Sequence, residues 1–580
     1  MAQNIDKHFS EAELALIARV ASSVTDNVYV LKDMHGLAGA VLARVSRAAT
    51  GVRETIVKEF MRDGELDHEH AAKLIERVLI AFGDDSVGEL EGAHLVLERI
   101  SMLLTKEWED RRIGGSPIEK STRYVFFDAL DANGKHQYYR CPDIAVSGHG
   151  PEYEAVMDFV FQTYSDLVEP MKEFFKARKP IADARYAIRE DSTDKIALAD
   201  CTDEKEAKAF RMTYNQDMRT MACDALRCIL PLATLTNVAI FGNGRFFQGA
   251  LSHSYGSPLA EARDVAYQAQ RALETVIPHY VKRAAASHYG KTVRDHMTAL
   301  AKELLGDRAA RTQPGITLWK RDTATMIDAL VRSGGLNPDT LEAAMQHEDD
   351  TLVIASMLYP FATLTLTQIT DAVRQWPEEK RARVRDTYIG DRKTRRDRPG
   401  RAFESGYPYT FDLETDFGTY KDLERHRMGT QQRQLFTPTL GFEMPAALRE
   451  AGFATRIEEC VARVSALHAK LAPTHPHAAQ YLALHGSVVR WTLGMNDRAL
   501  QHMIELRTTP QGHPSYRRAC QEMHRCIAAR SPWRGAAMKF VDHNDYDSAR
   551  GDAEASQRRK EAKLEITVRA QADAEEKEPA

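Results

Sequence analysis

Cysteine is scarce and never arranged as C-x-x-C: the seven residues stand at 141, 201, 223, 228, 460, 520 and 526. An odd, unpatterned set fits a reducing compartment better than a disulfide framework. Apolar runs are short as well. No stretch approaches the roughly eighteen residues of a membrane span. The first residues carry Asp6, Lys7, Glu11 and Glu13, without the apolar centre of a signal peptide. A cytoplasmic protein with no membrane partner is the expectation. Charge of one sign is not in excess either: the formal net charge of −5 argues against wholesale polyanion binding. Nucleic-acid contact is therefore left to a local patch. One such patch runs from Lys380 to Arg401, with ten Lys or Arg against three Asp. A solvated basic helix and loop and a phosphate-facing surface both fit it. Metal-ligand spacing is missing too. His68 and His70, like His475 and His477, have no second spaced pair, so they read as surface histidines and no metal site is expected. Gly242-Asn243-Gly244 lacks the third glycine and the βαβ setting of a dinucleotide fingerprint.

What is present is the balance of a globular protein, 43% hydrophobic and 28% charged over 580 residues, with room for roughly two to four domains. Ser10-Glu11-Ala12-Glu13 has the form of a capping box, continued by Leu14, Ile17, Ala18 and Ala21 at helical spacing. Leu90, Ala93, Leu97, Ile100, Leu104 and Trp108 predict one stripe of a long helix. Tyr124 to Phe127, Asn133-Gly134 and Gln137 to Tyr139 predict a β-hairpin, because Asn-Gly supplies two positive-φ residues. A second long helix, from about 151 to 178, carries Val156, Phe159, Val160, Leu167, Met171 and Phe174. Composition loosens at 306–315 and 333–337, placing the expected domain boundary near residues 305–320. After about Tyr546 the chain becomes alternating Arg, Lys, Glu, Asp and Ala, which predicts frayed helix or disorder.

Two distant stretches share a pattern. The first reads Asp110-Arg111-Arg112-Ile113-Gly114-Gly115-Ser116-Pro117-Ile118-Glu119-Lys120-Ser121-Thr122-Arg123-Tyr124; the second reads Arg425-His426-Arg427-Met428-Gly429-Thr430-Gln431-Gln432-Arg433-Gln434-Leu435. Both resemble the R-H-R-x7-S signature of the flavin-dependent thymidylate synthases, the first in its E-x-S-x-R-Y tail and the second in its R-H-R head. The resemblance covers most of residues 40–290 and, more thinly, 350–530, so a tandem duplication explains the length.

The resemblance implies a role for each matching residue. Ala43-Arg44-Val45-Ser46 and Ser86-Val87-Gly88-Glu89 look like flavin-side motifs, with Asp84 where a histidine is usual, giving Ser46, Ser86 and Glu89 as cofactor contacts. Glu119, Ser121 and Arg123 match the nucleotide loop, where a guanidinium forks phosphate oxygens and a hydroxyl adds a donor. Arg227, before Cys228-Ile229-Leu230-Pro231-Leu232, is a further nucleotide contact, and Cys223 and Cys228 read as buried thiols beside it. Asn243 and Arg245 match an N-x-R flavin segment, but the leucine-arginine pair expected further on has become His253-Ser254. The second copy keeps that arginine: Asn496, Arg498, Leu500, Met503 and Arg507 follow the family closely, and Asn496, Leu500, Met503 and Arg507 share a helical stripe. An arginine facing inward needs an anionic or polar partner, and the resemblance makes that partner the pyrimidine.

Losses and retentions interlock between the copies. Gln480 stands for Arg227, Arg433 and Leu435 for Glu119 and Ser121, while Asp110 and Arg111 stand where the second copy keeps Arg425 and His426. The expected fold is α+β and helix-rich, two tandem thymidylate synthase-like domains (1–305 and 316–545, then the tail 546–580), each with a small antiparallel sheet. The implied activity is reductive methylation of dUMP to dTMP, with FAD as cofactor and methylenetetrahydrofolate and NADPH as co-substrates. Arg507 and Arg425 are the catalytic candidates, and His426, Arg427, Asn496 and Arg498 join the cofactor contacts. Single-copy relatives assemble as four subunits, which implies a homodimer forming a pseudo-tetramer of domains. Two departures leave alternatives open: the spacing from Arg112 to Ser121 is one residue longer than the signature, and Asp110 is acidic. A different pyrimidine nucleotide fits these, as does a non-catalytic nucleotide- or nucleic-acid-binding relative on the same scaffold.

Overall fold

A computed structural model of the protein describes residues 9–24, 31, 37–45, 49–63, 65–76, 89–111, 113–189, 192–282, 284, 315–319, 337–393, 395, 397, 400–406, 408–546, 551 and 555. The chain divides into two compact units. One comprises Met1–Lys120, Tyr138–Gly148 and Ala233–Arg311; the other comprises Ser121–Gln137, His149–Leu232 and Thr312–Ala580. Most of the boundary region expected at 305–320 lies outside the described residues, as does nearly all of the charged tail.

The first unit is built on an antiparallel sheet of β1 (Gly92–Ser101), β2 (Gly115–Glu119) and β3 (Leu235–Asn243), ordered β1-β3-β2. Its alternation is plain in β3, where Val238 and Ile240 are buried and Asn237 and Phe241 are exposed. The long helix expected from Leu90 to Trp108 is corrected here: residues 92–101 are strand, and only Met102–Glu109 is helix. The misreading has a physical origin. Ala93 and Leu97 are four apart, a spacing that a strand and a helix both place on one face. The three-residue step from Leu97 to Ile100 comes from a bulge at Arg99, whose φ is 56°.

The second unit carries the sheet β4 (Ile316–Trp319), β5 (Tyr409–Asp416), β6 (Thr430–Arg433) and β7 (Val488–Met495), ordered β4-β5-β7-β6 and antiparallel throughout. The same run of elements thus occurs twice in the chain. Strand, short helix, edge strand, 3-10 turn, central strand and two helices read β1, Met102–Glu109, β2, Arg227–Ile229, β3, Gly244–Tyr255 and Ala260–Glu274. The second run reads β5, Phe417–Leu423, β6, Gln480–Leu482, β7, Asp497–Arg507 and Pro514–Arg530. Register confirms the match residue by residue: Glu119 pairs with Val238 where Arg433 pairs with Trp491.

Copies and compact units do not coincide. The first-copy helices Gly150–Arg178 and Glu204–Leu226 belong to the second unit, where Gly150–Arg178 packs on Ala454–Leu471 of the second copy. Val156, Val160, Leu167 and Met171 are buried on Gly150–Arg178, while Arg463 lies 3.8 Å from the ring centre of the partly buried Phe159. The segments around Leu230 and Leu484 pair antiparallel in the same unit: Leu232 N–H donates to Ala483 O at 2.8 Å, His485 N–H to Leu230 O at 2.8 Å, and Gly486 N–H to Cys228 O at 2.7 Å.

Of the hairpin expected at 124–139, only the turn forms. Asp131 N–H donates to Lys135 O at 2.8 Å, Gly134 takes φ 72°, and Leu130 bridges His136. Phe126 is instead anchored by its ring, with Lys172 and Arg219 each 5.0 Å from its centre, and its backbone joins no ladder. The capping box at Ser10 forms as the sequence predicts, with Ile17 buried behind it. No helix among the described residues is long and apolar enough to cross a membrane.

Candidate functional site

Four arginines named from the two copies, Arg123, Arg227, Arg425 and Arg507, act on one half-buried carboxylate, that of Asp422. Each is delivered by a different local device. The helix Glu204–Leu226 starts on an Asp203 N-cap and tightens into a 3-10 turn at Arg227, where Pro231 prevents its continuation. The helix Phe417–Leu423 starts on an Asp416 cap and carries Asp422 in its last turn, followed by Arg425 and His426. The helix Asp497–Arg507 starts on an Asn496 cap and ends at Arg507, with Leu500 and Met503 buried on the same stripe. Arg123 comes from the turn after Ser121, whose hydroxyl accepts from the Arg123 N–H at 3.2 Å.

The geometry is specific. Arg123 forks Asp224, Nε to Oδ1 at 2.8 Å and Nη2 to Oδ2 at 2.9 Å, and its Nη1 donates to the Tyr516 hydroxyl at 2.9 Å. Arg227 points both terminal nitrogens at Oδ2 of Asp422, at 3.3 and 3.4 Å. Arg507 donates from Nε to Nε2 of His426 at 2.8 Å. The Tyr516 ring lies 5.5 Å from the guanidinium carbons of both Arg123 and Arg507. One aromatic side chain therefore touches the nucleotide half-motif of the first copy and the retained arginine of the second.

Electrostatics follow from this arrangement. Burial works against the Asp422 charge, yet Arg227, then Arg507, Arg123 and Arg425, hold its carboxyl far below the usual range. Burial likewise opposes the charge on Arg123, and Asp224 more than restores it. His426 is held neutral by burial, then by Arg507 and His502, which suits it to accept from Arg507. Burial and Arg227 also keep His513 neutral; its Nδ1 accepts from Ser515 N–H at 3.2 Å and its Nε2 faces Asp224 O at 3.4 Å. Four guanidiniums thus act on Asp422, and one of them, Arg123, is forked on Asp224.

The other expected contacts are placed elsewhere. In the first unit, Glu119 is buried against Lys106 at 3.4 Å and Thr105 at 3.4 Å. Asn243 caps the helix Gly244–Tyr255, accepting from Phe246 N–H at 2.8 Å, and Arg245 pairs with Glu89 at 2.6 Å. In the second unit, Asn496 accepts from Ala499 N–H at 2.9 Å and Arg498 pairs with Glu404 at 2.5 Å. Arg427 is exposed beside His426. Ser46 and Ser86 lie outside the described residues. Asp224, Asp422, His513 and Tyr516 were not singled out from the sequence, although Asp224-x-x-Arg227 and Asp422-x-x-Arg425 place an acid three residues before each arginine.

Three arginines of the basic segment turn inward, while Lys380, Arg383, Lys393 and Arg401 stay exposed. Arg381 donates to Thr351, Val373 O and His347 O, Arg385 is paired with Glu378, and Arg392 forks Glu505 at 2.7 and 2.6 Å. These three arginines are buried and unavailable to a polyanion.

Residues 35–279 and 341–533 match the family described as Thymidylate synthase complementing protein. Over 563 residues the chain is 32% identical to a UPF0159 protein of Chlamydia muridarum, covering 93% of this chain and 97% of the relative. It is 31% identical to a UPF0159 protein of Chlamydia pneumoniae over 94% of this chain and 97% of that protein. A UPF0159 protein of Thermoplasma acidophilum is 27% identical over 89% of this chain and 97% of its own length.

Proposed function

Since the chain belongs to the thymidylate synthase complementing protein family, as a tandem duplication of it, we propose that it is a flavin-dependent thymidylate synthase, a methyltransferase converting dUMP to dTMP with methylenetetrahydrofolate and NADPH. One observation carries the reading: the arginines kept by the first copy (Arg123, Arg227) and those kept by the second (Arg425, Arg507) all act on one carboxylate, Asp422, with Arg507 also donating to His426, in one compact unit. A site divided between copies explains why neither stretch is complete.

In this reading Arg123 and Arg227 hold the phosphate of dUMP, and Arg425 and Arg507 answer negative charge that develops on the pyrimidine. FAD supplies the redox chemistry when bound. The donor set at the R-H-R turn fits it: the exposed cation of Arg427 suits a pyrophosphate, and the neutral His426 beside it suits a ring edge. Asn496 and Arg498 stand at the start of the helix that ends at Arg507 and belong to the same reading. Two fused copies per chain make the active species a homodimer with the four domains of single-copy relatives.

A second reading has its own observation. Asp224 and Asp422 already occupy the guanidiniums of Arg123 and Arg227, which favours a pyrimidine ligand with less charge to place than dUMP. Purified protein decides between them. Flavin absorbance with dUMP-dependent loss of the C5 hydrogen, read as tritium release from 5-tritiated dUMP, supports the synthase. Colourless protein that cannot be reconstituted with FAD sinks it, and flavin-bearing protein that releases no tritium from dUMP but reacts with another pyrimidine supports the second reading. A native mass of one chain in a fully active sample would overturn the dimer.

A further inference from the structure

The second unit holds a cavity of about 480 Å³ that has Arg123 in one wall, a volume within the range of small-molecule sites. Phe175, Met221, Met444, Pro445, Pro510 and Pro514 give it an apolar lining. Methionines adapt to a flat ring pressed against them. Most of the charge on its walls is already committed. Arg123 is forked on Asp224, Arg178 is paired with Glu450 at 2.6 Å, and Arg517 donates to Thr508 O at 3.0 Å and Asn544 O at 2.9 Å.

Two groups remain. Arg518, exposed on the helix Pro514–Arg530, makes no hydrogen bond or ion pair with any described residue. Glu443, exposed beside it, shares a side-chain hydrogen bond with Asp416; desolvation, then Asp416, push its carboxyl up to about 7 against the pull of Arg518. Both also line an adjoining cavity whose walls carry Glu414, Asp416, Glu522 and Asp545. That side repels an anion. A single uncommitted guanidinium suits one planar carboxylate, taken in a fork, whereas the acidic wall on the Glu443 side opposes a polyphosphate.

We infer that this cavity binds a flat, largely apolar molecule with a single carboxylate, an aromatic carboxylic acid, whose carboxylate sits on Arg518 and whose polar edge meets Glu443. The inference does not depend on flavin chemistry or on the nucleotide reading. It adds a second ligand to the unit that holds the arginine cluster.

The test titrates the purified full-length chain with 2-naphthoate, followed by its own fluorescence, and with 2-naphthamide as the uncharged molecule of the same shape. Saturable binding of naphthoate at one per chain is expected, about tenfold or more tighter than the amide. Arg518→Met, which keeps the apolar stem, should bring naphthoate down to the amide's affinity; Arg518→Lys should fall between. Circular dichroism checks that each variant is folded. Naphthoate that fails to saturate, binds no better than the amide, or binds Arg518→Met as tightly as the parent overturns the site. The same samples titrated with dUMP separate the two readings: unchanged dUMP affinity in Arg518→Met supports a distinct site, and a parallel loss overturns that distinctness. A parent chain that binds naphthoate but not dUMP counts against the nucleotide reading alone.

Discussion

Arg227 directs both terminal nitrogens at a single oxygen of Asp422, at 3.3 and 3.4 Å. The pair crosses between copies, Arg227 from the first and Asp422 from the second. It also fills the place where an anionic ligand would meet Arg227. On the proposed function, Asp422 therefore has opposing effects on stability and on anion affinity.

Asp422→Asn should separate those effects. Removing one partner of a buried ion pair costs roughly 3–5 kcal/mol, so the urea midpoint should fall. Binding of dUMP, or of inorganic phosphate as a simpler anion, should tighten by about tenfold, because the Asp422 charge no longer competes for the Arg227 guanidinium. Isothermal titration at two salt concentrations measures it. Affinity that is unchanged or weaker means Asp422 is not a competitor for the ligand.

Arg123 and Arg507 should differ in kind when removed. Arg123 holds a carboxylate in a fork and Tyr516 by its hydroxyl, so Arg123→Ala should weaken dUMP binding and lower stability. Arg507 contacts His426 through Nε, so Arg507→Ala should slow turnover with little change in binding, by about ten- to a hundredfold for a lost charged hydrogen bond. Arg507→Lys should not rescue fully, since an ammonium lacks the planar fork. Steady-state rates and equilibrium titration on the same preparations decide this, and equal effects on both quantities would dissolve the division of roles.

Much of this site was legible because short motifs travel with local geometry. Asn243 and Asn496, read as flavin contacts, stand where a strand hands over to a helix, and both cap that helix. Spacing marked the segment without separating a cap from a ligand. Arg227 was found because it precedes the Leu230-Pro231-Leu232 run, and Arg507 because it closes the segment from Asn496 that resembles the family. Asp224 and Asp422 were missed because an acid three residues before an arginine reads as a helical surface pair, while here each carboxylate pairs with an arginine of another segment. The same limit explains the basic patch: Arg381 and Arg385 are four apart on Glu378–Ile389, and only packing reveals that they face inward. The bulge at Arg99 shifted one strand by a residue and made it look helical.

Asp497 supplies a pH test. It accepts from Arg534 at 2.9 Å, but burial, with Asp349 and Asp350 close by, raises its carboxyl to about 7 from 3.8. A folded pKa above the unfolded one means the folded state binds more protons between roughly pH 4 and 7, so stability is lost as pH rises through that window and the penalty is complete above it. Asp497→Asn should therefore stabilise the protein at pH 8 by on the order of 3 kcal/mol, after loss of the charged bond from Arg534. The gain should vanish near pH 4. Urea unfolding at the two pH values measures the difference, and an equal effect at both would show that Asp497 is not the titrating group.

Ser254 asks whether the loss in the first copy can be reversed. It follows Asn243 by the same interval that separates Arg507 from Asn496, and both asparagines cap their helices. Ser254 is 1% exposed, in a helix packed on Ala260–Glu274 and closed by Ser257 N–H donating to Ser254 O at 3.0 Å. An arginine there would need space the packing does not leave and a partner for a buried charge, costs that together reach several kcal/mol. Ser254→Arg should lower the unfolding midpoint without raising flavin content or turnover per chain. On the proposed function, packing holds the division of labour in place: with a small buried side chain at Ser254, the role falls to Arg507 of the second copy. A Ser254→Arg protein with the parent's stability and a higher turnover per chain would instead mean that the first copy keeps a dormant site, open to a single change.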